Sequence, residues 1–178
     1  SGTGVLPYRN PALSVDERVA DLVSRMTLEE KVGQLLMLDA RGEDLSFVNT
    51  RQPGALLHIL GAKIGRAMDL AEKNRLGIPL LIGEDGIHGH SFWKGANIFP
   101  TQLAMAASWS PELLERVGRV TAEEMAPTGI HETFSPVLCL TRDVRWGRTG
   151  ETFGEDPYLI GELGVALIRG YQGKGLDD

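Results

Sequence analysis

The chain has 178 residues, of which 42% are hydrophobic and 24% charged, a composition typical of a soluble folded domain with a sizeable core. Its 18 basic and 24 acidic residues give a formal net charge of -6. Nucleic-acid binding rests on a surplus of Lys and Arg, so this balance argues against a nucleic-acid partner. No apolar run approaches the roughly 20 residues of a membrane-spanning helix, so we expect no membrane span.

Helix-start signals mark the beginning of the chain. Two capping boxes begin at Ser14 and Thr27, and each has a glutamate three residues later and apolar residues at helical spacing behind it. In such a box, the hydroxyl and the carboxylate each satisfy a backbone N–H of the first turn. The boxes predict helices near 14–26 and 28–36.

Short apolar runs then alternate with amphipathic segments. The runs ALLHIL (55–60), IPLLIG (78–83) and GIHETFSPVLCL (129–140) predict buried strands. Apolar residues repeating at three and four positions predict helices over 61–77, 111–125 and 157–170. Cys139 lies within the last apolar run, and we expect it to be a buried thiol.

This alternation is typical of an α/β fold with parallel strands. At most four strand-helix units fit the pattern. A closed eight-unit barrel takes about 250 residues, so the chain can hold only about half of one. An open, doubly wound sheet fits the same length, and composition and periodicity leave both architectures open.

A first polar loop, residues 83–95, follows the strand predicted at 78–83. It places Glu84, Asp85, His88 and His90 among glycines, at a strand end where parallel α/β folds bind ligands. His88 and His90 can offer two imidazoles to a metal ion. Alternatively, Asp85 can accept hydrogen bonds from two sugar hydroxyls, or the loop can be a capped turn without a ligand. The residues alone leave these three interpretations open.

A second polar loop, residues 141–156, contains three arginines and four carboxylates. The arginines are Arg142, Arg145 and Arg148, and the acids are Asp143, Glu151, Glu155 and Asp156. The balance of 3 minus 4 is -1, which favours internal ion pairs over binding of a phosphate or carboxylate. Trp146 either stacks on a sugar or a base, or packs inward. Glycosidases need two carboxylates roughly 5 to 10 Å apart, and Asp85 with Glu151 is a candidate pair.

Four segments of the chain together resemble the N-terminal barrel domain of glycoside hydrolase family 3. They are SRMTLEEKVGQLLM (24–37), GIPLLIGEDGIHG (77–89), FPTQLAMAASWSPELLERVG (99–118) and RDVRWGRTGETFGEDPYLIGEL (142–163). The resemblance implies an incomplete (β/α)8 TIM-type barrel of about the first four strand-helix units. It assigns 1–178 to this domain, with 1–27 as an N-terminal arm and helix preceding the barrel.

The resemblance also implies an activity, the retaining hydrolysis of terminal β-linked sugars in polysaccharide degradation, with β-glucosidase ahead of β-xylosidase. We expect no cofactor and no metal, and family habit favours a periplasmic or secreted protein. In this family an aspartate attacks the anomeric carbon. A separate acid/base residue protonates the leaving oxygen and then activates water.

Site residues follow from the resemblance position by position. Asp85 matches the aspartate that binds hydroxyls of the terminal sugar, and Arg148 matches the arginine that reaches the same sugar. His88, Trp146 and Glu151 match supporting positions, where the glutamate orients an arginine and the indole shapes the loop. We therefore expect part of a glycone-binding subsite in this chain.

The chain also departs from the family pattern. It has no Asp-Trp pair, which usually marks the nucleophile, and no Lys-His pair of the sugar subsite. Where some members carry an arginine after the His-Gly pair, this chain has His90 and Ser91, which affects the outer hydroxyl contacts. We predict that the chain contains no catalytic residue, is inactive alone, and works with the remaining half of the same enzyme or with a second chain.

Two functions from other classes remain open at this point. The first is a metal-dependent amidohydrolase-like barrel enzyme that uses His88 and His90. The second is a noncatalytic half-barrel module that binds sugar without turnover.

Overall fold

The computed structural model describes residues 5–174, which contain seven α-helices and four β-strands. The helices are α1 (Val15–Arg25), α2 (Leu28–Gln34), α3 (Phe47–Thr50), α4 (Ala62–Glu72), α5 (Gln102–Ala106), α6 (Pro111–Met125) and α7 (Pro157–Gln172). The strands are β1 (Met37–Asp39), β2 (Ala55–Leu57), β3 (Leu81–Glu84) and β4 (Glu132–Thr133). Within this part of the chain, no helix combines the length and the apolar character needed to cross a membrane.

The described residues form two compact units. The first contains 5–57 and 65–80, and the second contains 58–64 and 81–174.

Local capping determines where α1 and α2 of the first unit begin. The Ser14 hydroxyl accepts a hydrogen bond from the backbone N–H of Glu17, and the Glu17 carboxylate accepts one from the backbone N–H of Ser14. Thr27 and Glu30 repeat the arrangement at α2. Both predicted capping boxes are therefore confirmed, since each satisfies donors that the first helical turn leaves unpaired.

The first unit also contains a strand that the sequence pattern missed. Helix α2 ends at Gln34 instead of residue 36, and β1 pairs in parallel with β2 in the register Met37 with Ala55. The turn between α2 and β1 depends on close backbone approach, because a Cβ on Gly33 would lie 2.5 Å from the carbonyl oxygen of Gln52. This contact is long-range, so helical periodicity could not reveal where α2 stops.

In the second unit, β3 and β4 run parallel, with Gly83 opposite Glu132 and Glu84 opposite Thr133. Helices α5, α6 and α7 form its core. The buried core residues are Met105, Ala106, Leu114, Val117, Phe153, Ile160, Leu163, Ala166 and Leu167. A Cβ on Gly170 would lie 2.1 Å from the carbonyl oxygen of Glu115, so glycine lets α6 and α7 approach closely.

The strand predicted over 129–140 is much shorter than expected. Only Glu132–Thr133 is a strand, and the buried amide of Gln102 bonds both the N–H and the C=O of Val137 at 3.1 Å. A side chain thus takes the place of a neighbouring strand, and α5, which carries Gln102, was itself not predicted. Cys139 lies beyond this point and is exposed, so the expectation of a buried thiol is wrong.

Candidate functional site

Both polar loops belong to the second unit and follow its parallel strands. The first polar loop begins at the carboxyl end of β3, and the chain leaving the carboxyl end of β4 leads to the second polar loop. Paired parallel strands end at the same edge, so this edge is where an α/β fold presents its ligand-binding groups.

Glu84 is the most buried charged group at this edge, with 1% of its surface exposed. Its Oε1 lies 2.9 Å from His58 Nδ1 and 2.9 Å from the backbone nitrogen of Asp85. A buried carboxylate is costly unless hydrogen-bonded, and these two donors supply the compensation. Both contacts of Glu84 are thus internal, whereas the partly buried carboxylate of Asp85 forms no hydrogen bond or ion pair with any residue that the structure describes.

Gly86, the residue after Asp85, is also held by hydrogen bonds. The N–H of Gly86 donates to Thr133 Oγ1 at 3.0 Å, and the Tyr171 hydroxyl donates to the Gly86 carbonyl at 2.9 Å. Burial raises the pKa of Tyr171, so its phenol remains a donor. A Cβ on Gly86 would lie 2.7 Å from the sulfur of Met125, so little space surrounds this residue. The backbone on both sides of Asp85 is therefore fixed by contacts from distant parts of the chain.

His90 is fully buried beside α6 rather than offered to a ligand. Its Nε2 lies 3.0 Å from Thr128 Oγ1, and that hydroxyl donates to the carbonyl of Met125. The hydroxyl proton is thus already used, so Nε2 of His90 donates to Thr128. Burial lowers the pKa of His90, which favours the neutral ring.

Among residues 5–174, one group of three metal-type ligands has its ligand atoms within 4.8 Å of one another: His58, Glu84 and Asp85. It includes neither His88 nor His90, and its imidazole already bonds its carboxylate. The ligand set expected for an amidohydrolase-like centre on His88 and His90 is therefore not assembled among these residues.

Exposed ion pairs hold the second polar loop. The side chains of Arg145 and Asp143 meet through Nε and Oδ1 at 2.9 Å, and those of Arg148 and Glu151 through Nε and Oε2 at 3.0 Å. Arg145 lowers the pKa of Asp143 by hydrogen bonding. The internal pairing predicted for this loop is confirmed at these two arginines, whereas Arg142 forms no ion pair with any described residue.

Charges of both polar loops affect the pKa of Arg148. The hydrogen bond and charge of Glu151 raise the pKa of Arg148, with a smaller addition from the charge of Asp85. Trp146 is 36% exposed, and the base of its loop is closed by a 2.6 Å hydrogen bond between Thr141 and Thr152.

The family model for the glycosyl hydrolase family 3 N-terminal domain matches residues 27–177. The chain belongs to glycoside hydrolase family 3. It is 34% identical to the periplasmic β-glucosidase of Salmonella typhimurium, over 92% of this chain and 22% of that protein.

Solved structures of family 3 enzymes agree. A β-glucosidase from intestinal bacteria involved in saponin metabolism is 60% identical, with a TM-score of 0.78, over 88% of this chain and 21% of its own. The β-glucosidase of Listeria innocua bound to isofagomine is 36% identical, with a TM-score of 0.79, over 91% and 23%. This family 3 chain thus spans about a fifth to a quarter of these relatives. It carries an incomplete (β/α)8 barrel, and that predicted fold is confirmed over the open sheet.

Sequence reasoning missed one residue of this candidate site, His58. It directly follows β2 in the structure, but it lies inside the strand predicted over 55–60, so the sequence pattern did not show that it stands at a carboxyl end. Which acid it would meet could not be read from the pattern, because His58 and Glu84 are 26 positions apart.

Proposed function

We propose that this chain is the N-terminal part of a retaining, exo-acting β-glycosidase, a β-glucosidase, and that it supplies part of the subsite for the terminal sugar. Family membership and the relatives named as β-glucosidases support the reaction class. The observation that carries the proposal is Asp85, a partly buried carboxylate at the carboxyl end of β3 whose flanking backbone is fixed. Asp85 and Arg148 are the proposed substrate-binding residues.

Asp85 has the chemistry to hold a sugar. Its two oxygens can accept hydrogen bonds from neighbouring hydroxyls, and bonds to a charged acceptor are shorter and stronger than neutral ones. Because its backbone is already ordered, the sugar does not have to organise it on binding.

Arg148 adds donors to this subsite. Its guanidinium has five N–H groups, and Glu151 engages Nε and one Nη through a single oxygen, which leaves N–H groups for a sugar oxygen. We assign Glu151 the role of orienting Arg148, and Trp146 and His88 the role of shaping the surrounding loops. Together with Asp85, these four residues would form one wall of the glycone subsite.

In this proposal the chain binds and orients the sugar but does not perform the covalent chemistry. The attacking carboxylate and the acid/base residue come from the remaining part of the same enzyme or from a second chain. Contacts to the terminal sugar that strengthen as the ring distorts toward the transition state raise the rate of glycosyl transfer. We propose a periplasmic or secreted location, as the name of the Salmonella relative suggests for that protein.

The proposal is tested by hydrolysis of 4-nitrophenyl β-glucoside. We expect no turnover by residues 1–178 alone, and turnover by the complete polypeptide. Asp85→Asn in that polypeptide is expected to lower kcat/KM by about 100-fold, since two charge-assisted hydrogen bonds weaken. Asp69→Asn, an exposed aspartate on α4, is the matched control.

Two results would contradict the proposal. Turnover by residues 1–178 that Asp85→Asn abolishes would mean that the chain contains the nucleophile. Saccharide binding without turnover by the complete polypeptide, measured by calorimetry with glucose, would identify a noncatalytic sugar-binding module instead.

A further inference from the structure

The buried carboxylate of Glu84 accepts hydrogen bonds from two donors. Its Oε1 accepts from the backbone N–H of Asp85 at 2.9 Å and lies 2.9 Å from Nδ1 of His58. A carboxylate oxygen has no proton and only accepts, so Nδ1 of His58 carries the proton that it shares with Oε1 of Glu84. The contact therefore fixes one tautomer of the imidazole, with hydrogen on Nδ1.

His58 adopts a backbone conformation that residues with a Cβ avoid. Its φ is 58°, in the left-handed region. Side-chain contacts accompany this conformation: the bond to Glu84, and an edge-on contact with the Phe92 ring at 6.1 Å between centroids. A strained residue persists where its surroundings determine it, and such residues cluster at functional sites.

We propose that His58 is a positioning residue for the sugar subsite. By donating from Nδ1 to Glu84, it holds the Glu84 carboxylate against the N–H of Asp85 and so sets the direction of the Asp85 carboxylate. This inference rests on the proposed function of Asp85 as a ligand of the terminal sugar.

The geometry favours this role over two others. A metal ion held by His58, Glu84 and Asp85 would have to displace the hydrogen bond that already joins the first two. Direct contact between His58 and the sugar would leave the bond to Glu84 without a function, although Glu84 is the more deeply buried partner, with 1% of its side chain exposed against 23% for His58.

The chain offers a matched pair of substitutions at position 58. His58→Leu places a methyl group where Nδ1 stood and removes the donor. His58→Asn places an amide nitrogen at the same position and suits a left-handed backbone better than most residues. Gln52→Asn is the control for the backbone, because Gln52 is another non-glycine residue with positive φ, at 46°, and belongs to the first unit.

The decisive experiment is a double-mutant cycle with Asp85→Asn in the complete polypeptide, assayed on 4-nitrophenyl β-glucoside. We expect His58→Leu alone to lower kcat/KM by about tenfold, mainly through KM, and His58→Asn to recover most of this loss. In the Asp85→Asn background, His58→Leu is expected to cost less than about twofold, because residues that act through one another are not additive. Gln52→Asn should change neither constant.

Equal losses from His58→Leu in both backgrounds, or no recovery with His58→Asn, would overturn the inference and leave the proposed role of Asp85 intact. A neutral Asp85→Asn would overturn the proposed function and the inference with it. Should His58→Leu fail to fold because Glu84 loses a partner, His58→Leu with Glu84→Gln removes the buried charge and enters the same cycle. The ¹⁵N shifts of the His58 ring provide an independent check, since we expect the proton on Nδ1.

Discussion

The two polar loops hold their charges in opposite ways. In the first, the bonds that fix the backbone around Asp85 come from residues 26, 47 and 85 positions away from their partners. In the second, Arg145 and Arg148 pair with acids only two and three positions away, on the surface. The difference teaches that a dense cluster of charges is weak evidence of rigidity, and that order here comes from buried long-range contacts.

We expect the largest effect on stability from replacing a glycine of the first polar loop, and almost none from replacing a glycine of the second. Gly89 in the first has a φ of 104°, and an added Cβ would lie 2.1 Å from the carbonyl oxygen of Asn97. We expect Gly89→Ala to lower the free energy of unfolding by about 3 kcal/mol or more, measured by urea unfolding. An added Cβ on Gly147 in the second loop would have no atom within 4 Å, so Gly147→Ala should change the free energy of unfolding by less than about 0.5 kcal/mol. Similar effects of the two changes would break the comparison.

A smaller effect is expected from Tyr171→Phe. This change removes the hydroxyl that donates to the Gly86 carbonyl and leaves that carbonyl unpaired, at a cost of about 1 to 2 kcal/mol in unfolding free energy. Tyr158→Phe is the control on the same helix, because Tyr158 is 75% exposed. If the first polar loop depends on distant contacts, Tyr171→Phe should also raise KM for the β-glucoside in the complete polypeptide, and an unchanged KM would argue against this dependence.

A pH effect is expected from His90. Burial lowers the pKa of His90 in the folded chain, so the unfolded chain binds the proton first as the pH falls through the ordinary value of 6.5. Stability from this group is therefore full above 6.5, declines below it, and levels off below the folded-state pKa. His90→Gln, which keeps an amide donor toward Thr128, should reduce the decline between pH 7.5 and pH 5 in urea unfolding, whereas an identical decline would place its origin elsewhere.

The smallest effect is expected in the second polar loop. Asp143→Asn breaks the ion pair with Arg145, but both side chains are exposed, at 52% and 88%. Exposed pairs are screened by water and salt, so we expect no measurable change in thermal unfolding at either low or high ionic strength. A clear, salt-dependent destabilisation would show that this loop is also held by its charges.

Local signals located most of the helices but not all of the strands. Capping residues identified α1 and α2, and apolar periodicity identified α6 and α7, because both signals involve residues only two to four positions apart. Strand β1 was missed, since its first two residues, Met37 and Leu38, continue the apolar pattern of the preceding helix. The predicted strand over 129–140 was too long, because Gln102 bonds Val137 from a distant helix.

The candidate site shows the same division. The family motifs marked Asp85 and Arg148 as sugar ligands, and that assignment remains a prediction for the experiments above to test. His58 entered the site only through its contact with Glu84. Nothing in the local sequence around either residue specifies the other as its partner.

By itself, the sequence determined the family, the alternation of helices and parallel strands, and the pairing of charges that lie within three positions of each other. Tertiary structure alone decided that His58 meets Glu84, that Tyr171 reaches Gly86, and that His90 turns away from a ligand toward Thr128. The physical reason is that local hydrogen bonds and caps depend on spacing along the chain, which is legible in the letters. Contacts between distant residues depend on how packed strands and helices bring them together, and periodicity carries no record of those partners.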